Sequence, residues 1–404
     1  MRLLHTSDWH LGRMTYNVSR APDHDAVLAE IVDIARRERP DLILHTGDLF
    51  DTVRPAYSEM ERGINVLKEL AAIAPTIVLC GNHDSPALFR LFQLMAGSET
   101  RLRFVEKPRL PEDGGIIDVE VANGQRVRVA PVPFIHANRF VEAFVEPTEV
   151  MTTYADHVAG IARTLDAGLQ KGYDGTRDIL IYAAHLHVAG AMISRTEHRL
   201  HVTDMYATLP EHLPTVSYAA FGHIHKPQML PGGRGAYAGS PIELDFGELG
   251  EEKRVVMVEA SPGRPARIDS IPLRTGRRLR QLAGTMDEIA AAAANVGTGL
   301  TMVTVRTEIP TPGLSERVRT LLPDATILDV IEDCPALRAN VVTRDSIPAT
   351  EPDTGALFEE YLGVQPAAKA TAADVLRVFS EFLAAAKEER LATFDEKTFA
   401  EVAE

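Results

Sequence analysis

Acid, amide and imidazole side chains recur in this chain directly behind short apolar runs. "RLLHT" (Arg2 to Thr6) leads into "SDWH", which supplies Asp8 and His10. "DLILHT" (Asp41 to Thr46) leads into "GDLFD", with Asp48 and Asp51, and "TIVLC" (Thr76 to Cys80) into "GNHDS", with Asn82, His83 and Asp84. "ILIYAA" (Ile179 to Ala184) runs into His185, with His187 two places on, and "SYAAF" (Ser217 to Phe221) into "GHIH", with His223 and His225. A turn accounts for Gly, Asn and Asp, but not for the histidines. Residues i and i+2 of an extended segment share a side, so Asp8 with His10, and His223 with His225, can each reach one locus.

This donor set contains no thiolate, which disfavours a structural zinc site. Mixed carboxylate, imidazole and amide donors suit Mn²⁺, Fe²⁺ or Zn²⁺ in a catalytic site. One carboxylate can bridge two ions ~3.5–4 Å apart, the arrangement used to cleave phosphoesters. With Asp8 and Asp48 as the direct carboxylates, two divalent ions keep a net positive charge that attracts a phosphodiester.

The apolar runs that precede these residues read as buried parallel strands, joined by "VRVAPV" (Val127 to Val132). Between the first three lie helical stripes, Val27, Ile31, Ile34 and Ala35, then Met60, Ile64, Leu67 and Ala71. Alternating strands and helices predict a layered α/β core, with functional residues at the carboxyl ends of the strands. "KRVVMVEA" adds a strand, and a boundary is expected near Arg274 to Arg277. "MDEIAAAAANV", "LTMVTVRTE", "LSERVRTLL" and "ATILDVIE" then alternate helix and strand, predicting a small α+β unit. "RDSIPATEPDTG" (Arg344 to Gly355) reads as a linker. Behind it come "ALFEEYL" and a helix whose apolar face includes Val375, Phe379, Phe382 and Leu383. The expected division is 1–275, 276–345 and 346–404.

The formal net charge of −15 argues against nucleic acid as a partner. From Glu351 to Glu404, however, 12 acidic residues face 5 basic ones, a net of −7, so nearly half the excess sits in the last segment. A basic groove elsewhere stays compatible with the composition. Two cysteines, Cys80 and Cys334, form no framework and fit a reducing cytosol. No run of 18 apolar residues occurs, and "MRLLHTSDWH" does not read as a secretory signal.

Asp-x-His, Gly-Asp-x-x-Asp, Gly-Asn-His-Asp, a late His and Gly-His-x-His resemble the signature of calcineurin-like metallophosphoesterases. "TSDWHLG", "HTGDLFDT", "CGNHDS", "AHLHVAGA", "FGHIHKPQ" and "YAGSPIELDFGE" resemble, more closely, the SbcD family of bacterial nuclease subunits within that superfamily. These motifs span residues 1 to about 250; the later match rests on layout. The resemblance implies a layered metallophosphoesterase core of sheets flanked by helices, a small α+β capping domain and a helical C-terminal tail. It implies a Mn²⁺-dependent nuclease cutting duplex ends, hairpins and single strands in DNA repair, recombination and replication.

Carried onto this chain, the resemblance assigns Asp8, His10, Asp48 and His225 to one divalent ion, and Asp48, Asn82, His185 and His223 to the other. His83 becomes the catalytic histidine and Asp84 the group that orients its ring. By residue type alone His187 remains open beside His185. Asp51 stands where archaeal and eukaryotic relatives place a second phosphate-facing His; bacterial members carry Asp there.

The chain has no G-x-x-x-x-G-K-[ST], so it has no P-loop of its own. The resemblance implies an ATPase partner, SbcC, a homodimer within a two-plus-two heterotetramer, and a cytoplasmic, nucleoid-associated location with no membrane. The helix carrying Val375, Phe379, Phe382 and Leu383 is the expected partner-binding segment. Arg13, Asn17, Arg20 and Arg54, in loops behind the first two motifs, are the candidate DNA contacts. A phosphoesterase for small nucleotides or phosphoproteins would share the metal motifs but give no reason for "GSPIELDF". A structural adaptor would not need an intact donor set.

Overall fold

The computed structural model describes residues 1–97, 101–121, 124–136, 154–194, 197, 207–335, 353–364 and 372–387. Two six-stranded sheets form its centre. In the first, the strands Arg2–Thr6, Leu42–His45, Thr76–Leu79 and Leu102–Val105 run parallel side by side. Arg254–Glu259 pairs antiparallel with Arg2–Thr6, and Arg267–Pro272 closes that edge. In the second, Arg126–Val132, Asp178–His185, Tyr218–Gly222 and Gly235–Tyr237 run parallel, and two antiparallel edge strands, Ile117–Glu120 and Gln228–Met229, complete the sheet.

The period-2 alternation of each strand determines the layering. Leu3, Leu42, Leu44, Ile77 and Leu79 of the first sheet share one core with Val127, Val129, Ile179, Ile181 and Ala183 of the second. The residues between them, Leu4, Ile43 and Val78, face the other way and pack with Val27, Ile31 and Leu67. Those belong to the helices Ala21–Glu38 and Tyr57–Ile73, the two stripes read from the sequence. Leu180, Tyr182 and Ala184 likewise pack with Val158, Ile161 and Leu165 of the helix Tyr154–Gln170. The result is helix, sheet, sheet, helix. Strands buried on both faces read as continuous apolar runs, which is why they were legible.

Chain contacts divide the protein into Met1–Asp333 and Cys334–Glu404. Within the first unit, the parallel strands Leu279–Gly284, Leu300–Arg306 and Thr326–Asp333 form a separate small sheet. The helix Met286–Ala292 starts in a capping box between Thr285 and Glu288, and Ile289 packs with Val303, Val305, Leu314 and Val318. The segment entering this sheet is held by carboxylates of the long first helix. Glu30 accepts from the Arg274 and Thr275 amides, and Asp23 from the Arg277 amide at 2.7 Å.

In the second unit, the helices Thr354–Val364 and Ala372–Lys387 pack together, with Phe358 stacked on Phe379 at 3.8 Å between ring centres. Residues 344–352 of the expected linker lie outside the described residues. Among the described residues, no helix is long and apolar enough to cross a membrane.

The two sheets approach closely at the ends of their central strands. A Cβ at Gly222 would collide with Ser7 Oγ and the Thr46 carbonyl oxygen, and would lie 3.0 Å from His185 Nδ1. Gly222→Ala is therefore expected to destabilise the fold by about 1–3 kcal/mol through overpacking. Denaturant unfolding checks this, and an unchanged midpoint would show that the strand ends are not in contact.

Candidate metal centre

Each strand expected to deliver a donor does so from its carboxyl end. Asp8 and His10 follow Arg2–Thr6, Asp48 follows Leu42–His45, and Asn82 follows Thr76–Leu79. His185 is the last residue of Asp178–His185, and His223 follows Tyr218–Gly222. The first three strands belong to one sheet, and the two that deliver His185 and His223 to the other. Register brings them level: Thr6 pairs with His45, and Gly222 with His185.

The turns behind these strands are sharp. Asp8, His10, Asp48 and His223 all have positive φ, at 52°, 48°, 53° and 96°. Non-glycine residues in this region cost on the order of 1–3 kcal/mol each where the surroundings hold them there, and they cluster at functional sites. The holding bonds are present. The Asp8 amide donates to the Gly47 carbonyl at 2.9 Å and the His10 amide to the Asp48 carbonyl at 3.1 Å. The His223 amide donates to Asp8 Oδ1 at 3.0 Å. Gly81 is required beside them, because a Cβ there would overlap the Asp48 carboxylate and amide.

Asp48 lies at the centre. Its Oδ1 accepts from the His83 amide at 2.8 Å, while Oδ2 stands 3.5 Å from His10 Nε2 and 3.3 Å from His185 Nε2. On one side, His10 Nε2 is 3.1 Å from His225 Nε2. On the other, Asn82 Oδ1 lies 2.9 Å from His185 Nε2 and 2.7 Å from His223 Nδ1. Asp8, His10, Asp48 and His225 thus form one buried cluster of donor atoms, and Asp48, His185 and His223 another that shares Asp48. Lone pairs on imidazole nitrogens that face each other and one carboxylate oxygen repel, and a proton or a metal cation between them relieves that repulsion. This donor set fits two divalent ions.

Among the described residues, the clusters contain His185 and not His187. His185 is aimed by a bond that ties the two sheets together: Nδ1–H donates to the Thr46 carbonyl at 2.7 Å. A second tie lies behind it, where His5 bridges Tyr218 Oη at 2.8 Å and Thr46 Oγ1 at 2.9 Å. Burial lowers the His5 pKa to about 3, so this bridge is made by a neutral ring.

His83 is positioned differently from the expectation. Its Nδ1 donates to the Asp51 carbonyl at 2.9 Å, leaving Nε2 for other work. Asp84 does not orient that ring. It is buried, and its carboxylate accepts from the amides of Leu49 at 3.1 Å, Phe50 at 2.9 Å and Gly81 at 2.9 Å. Asp84 therefore holds the turn that carries Asp48 against the turn that carries Asn82. The N-cap of the helix Pro86–Ala96 is Ser85. The Asp51 side chain lies 3.2 Å from His10 Nδ1 and 3.5 Å from Arg13 Nη1. Asp51 thus touches a metal-cluster histidine with its carboxylate and His83 with its backbone.

Of the four candidate DNA contacts, Arg20 is corrected. It is fully buried, with Nε donating to Asp23 Oδ2 at 2.7 Å and its Nη atoms reaching Thr15, the Glu243 carbonyl and the Arg277 carbonyl. It braces the fold, and the run of loop residues around it gave no sign of that burial. Asn17 and Arg54 are exposed, and Arg13 is half-buried with Asp245 3.6 Å away. Tyr16 and Asn17 both have positive φ between the short strands Met14–Thr15 and Val18–Ser19, the geometry of a two-residue hairpin turn. Val375, Phe379 and Leu383 are half-buried, and Phe382 is exposed, all in the second unit.

The chain is similar to several known proteins. The model of the family described as calcineurin-like phosphoesterase matches residues 1–227. A protein of Bacillus subtilis described as the SbcD component of the SbcCD nuclease is 30% identical over 289 residues, covering 69% of this chain and 71% of that one. Its counterpart in Escherichia coli K12 is 29% identical over 310 residues, covering 72% and 73%. One from Rhodobacter capsulatus is 28% identical over 327 residues, covering 72% and 76%. The solved structure of a dimetal phosphatase from Danio rerio aligns with a TM-score of 0.39 at 13% identity, over 67% of this chain and 98% of that one. The chain belongs to the calcineurin-like phosphoesterase family and, within it, to the SbcD family.

Charge in the metal-free site is set by these neighbours. Burial opposes a charged ring at His185, but the Asp48 carboxylate outweighs it and raises the pKa to about 9. Burial opposes charge at His225 too; there Glu248 outweighs it, again reaching about 9. Burial dominates at His10, which falls to about 4. Asp48, despite burial, is held well below the usual carboxylate range by His185. At neutral pH the metal-free site therefore holds protons on His185 and His225 that a cation must displace. Binding of a divalent ion at pH 7 is expected to release protons, and affinity to rise between pH 7 and about 9. The same raised values give the metal-free fold a contribution that is complete below the unfolded His pKa of ~6.5 and lost as pH rises through about 9. Titration calorimetry in buffers of different ionisation enthalpy measures the protons, and binding without release would contradict the assignment.

Proposed function

We propose that this chain is the nuclease component of a two-component DNA-processing complex, cleaving phosphodiesters at duplex ends, hairpins and single strands with two Mn²⁺ ions. The observation that carries the reading is Asp48 Oδ2, placed between His10 Nε2 at 3.5 Å and His185 Nε2 at 3.3 Å, where one carboxylate can serve two cations. Asp8, His10, Asp48 and His225 would hold the first, and Asp48, Asn82, His185 and His223 the second. Bound divalent ions would polarise the phosphoryl oxygens and lower the pKa of an attacking water. His83, fixed through Nδ1 to the Asp51 carbonyl, would use Nε2 to stabilise the scissile phosphate or protonate the leaving oxygen. Asp84 supports the turn beneath it.

The description shared by the bacterial relatives, as SbcD of the SbcCD nuclease, favours DNA as the substrate and an SbcC ATPase as the partner. On this reading residues 1–275 are the nuclease core, 276–345 the capping domain and 346–404 the linker and partner-binding segment. Val375, Phe379, Phe382 and Leu383 would contribute to SbcC binding, and Arg13, Asn17 and Arg54 to phosphate contacts. The assembly would be a homodimer within a two-plus-two heterotetramer, in the cytoplasm at the nucleoid. Cys80 and Cys334, both buried and free, are compatible with a reducing compartment.

The test is the purified chain on end-labelled linear duplex and hairpin DNA with Mn²⁺, with and without SbcC and ATP. Shortened products are expected, and they should disappear in EDTA. His83→Ala is expected to lower the rate about 10²–10⁴-fold while two ions still bind. Turnover of a small phosphodiester with DNA left intact, even beside the partner, would move the assignment to a nucleotide or phosphoprotein phosphoesterase.

A further inference from the structure

The segment "YAGSPIELDFGE" supplies none of the donors, yet it lies directly behind one of them. His225 turns Nε2 toward His10, and its other nitrogen, Nδ1, donates to Glu248 Oε1 at 2.9 Å. Glu248 is fully buried. Its second oxygen, Oε2, accepts from Lys253 Nζ at 2.7 Å, Ser240 Oγ at 3.0 Å and the Leu244 amide at 3.1 Å. Lys253 is also fully buried, and its Nζ reaches the His225 carbonyl at 3.2 Å, Ser240 Oγ at 2.9 Å and Glu251 Oε2 at 2.9 Å. The same histidine is gripped at both its ring and its backbone, since its amide donates to Glu197 Oε1 at 3.0 Å.

A buried ion pair of this kind is weak evidence of stabilisation, because desolvation of two charges offsets much of their attraction and apolar pairs of similar volume often do as well. Its position suggests another use. Lys253 immediately precedes the strand Arg254–Glu259, which pairs with Arg2–Thr6, the strand that delivers Asp8 and His10. The pair thus references His225, at the end of the second sheet, to the first sheet where its fellow donors originate.

We infer that Glu248, locked by Lys253 and Ser240, is a positioning residue for the metal centre: it fixes His225 with hydrogen on Nδ1 and the Nε2 lone pair on the cation shared with Asp8, His10 and Asp48. The inference rests on the two-ion reading of the site. A carboxylate behind a ligating histidine also increases the ligand's basicity, and removing it commonly weakens metal binding about 10–100-fold. Glu248 bonds His225, which belongs to only one of the two donor clusters, so one of the two ions should feel its loss.

The test is calorimetric titration of the full chain with Mn²⁺, beside thermal unfolding in EDTA, for the wild type and Glu248→Gln. Two ions are expected in the wild type. In the variant one ion should weaken about 10–100-fold and the other should keep its affinity, while the EDTA unfolding temperature falls because Lys253 and His225 lose a buried counter-charge, so binding is titrated well below it. Glu248→Gln/Lys253→Met leaves neither member of the pair charged and decides the matter if the single variant does not fold. Wild-type affinity at both sites, or equal weakening at both, overturns the inference and leaves the metal centre standing. A wild type that binds fewer than two ions overturns the two-ion reading and this inference with it.

Discussion

A carboxylate with no access to solvent, surrounded by imidazoles from two different sheets, is the constraint that the rest of this molecule accommodates. Asp48 cannot remain charged inside a protein without compensation, since isolated buried charge is strongly unfavourable. Its partners, His10 from its own sheet and His185 from the opposite one, come close only because the strand ends converge. The packing of Leu3, Leu42 and Ile77 against Val127, Ile179 and Ile181 sets that convergence. The hydrophobic layer between the sheets is therefore a precondition of the chemistry. It supplies the cohesion against which the charged edge can be assembled.

That edge is held by backbone as much as by side chains. The left-handed conformations at Asp8, His10, Asp48 and His223 would relax in an isolated loop, and they persist because neighbouring turns bond to one another. Asp84 contributes by collecting three amides from two turns, and Thr46 by presenting its carbonyl to His185. Strain of this kind fixes where these side chains stand. The same reasoning explains why Gly81 and Gly222 have no side chain: at both places the adjoining turn occupies the volume a Cβ would take.

The junction to the small sheet shows how closely the site and its surroundings are joined. Glu243 accepts from the Leu279 amide at 2.7 Å, and its own carbonyl accepts from Arg20. Five residues further on, Glu248 bonds His225. One stretch of chain therefore contacts both His225 of the donor cluster and the start of the small sheet. Arg20 and Asp23, at the start of the first long helix, complete this brace through Arg277.

The residue types and their order determined much by themselves. Apolar runs ending in Asp, Asn and His announced buried parallel strands with donors at their carboxyl ends, because side-chain period and strand burial are local properties of sequence. The helical stripes behind the first two strands were legible for the same reason. What the tertiary structure decided was every relation between segments far apart in the chain. The meeting of His10 and His225 joins positions 215 residues apart, and no local pattern encodes that distance. His83 bonds the Asp51 carbonyl rather than Asp84, because backbone acceptors are present at every residue and only folding selects one. Arg20 is buried because Asp23, Glu243 and Arg277 surround it, which its loop-like neighbours in sequence did not reveal. Glu248 and Lys253 look like ordinary surface charges in the sequence. Their burial behind His225 follows from packing, which alone determines whether a charge faces water or another charge.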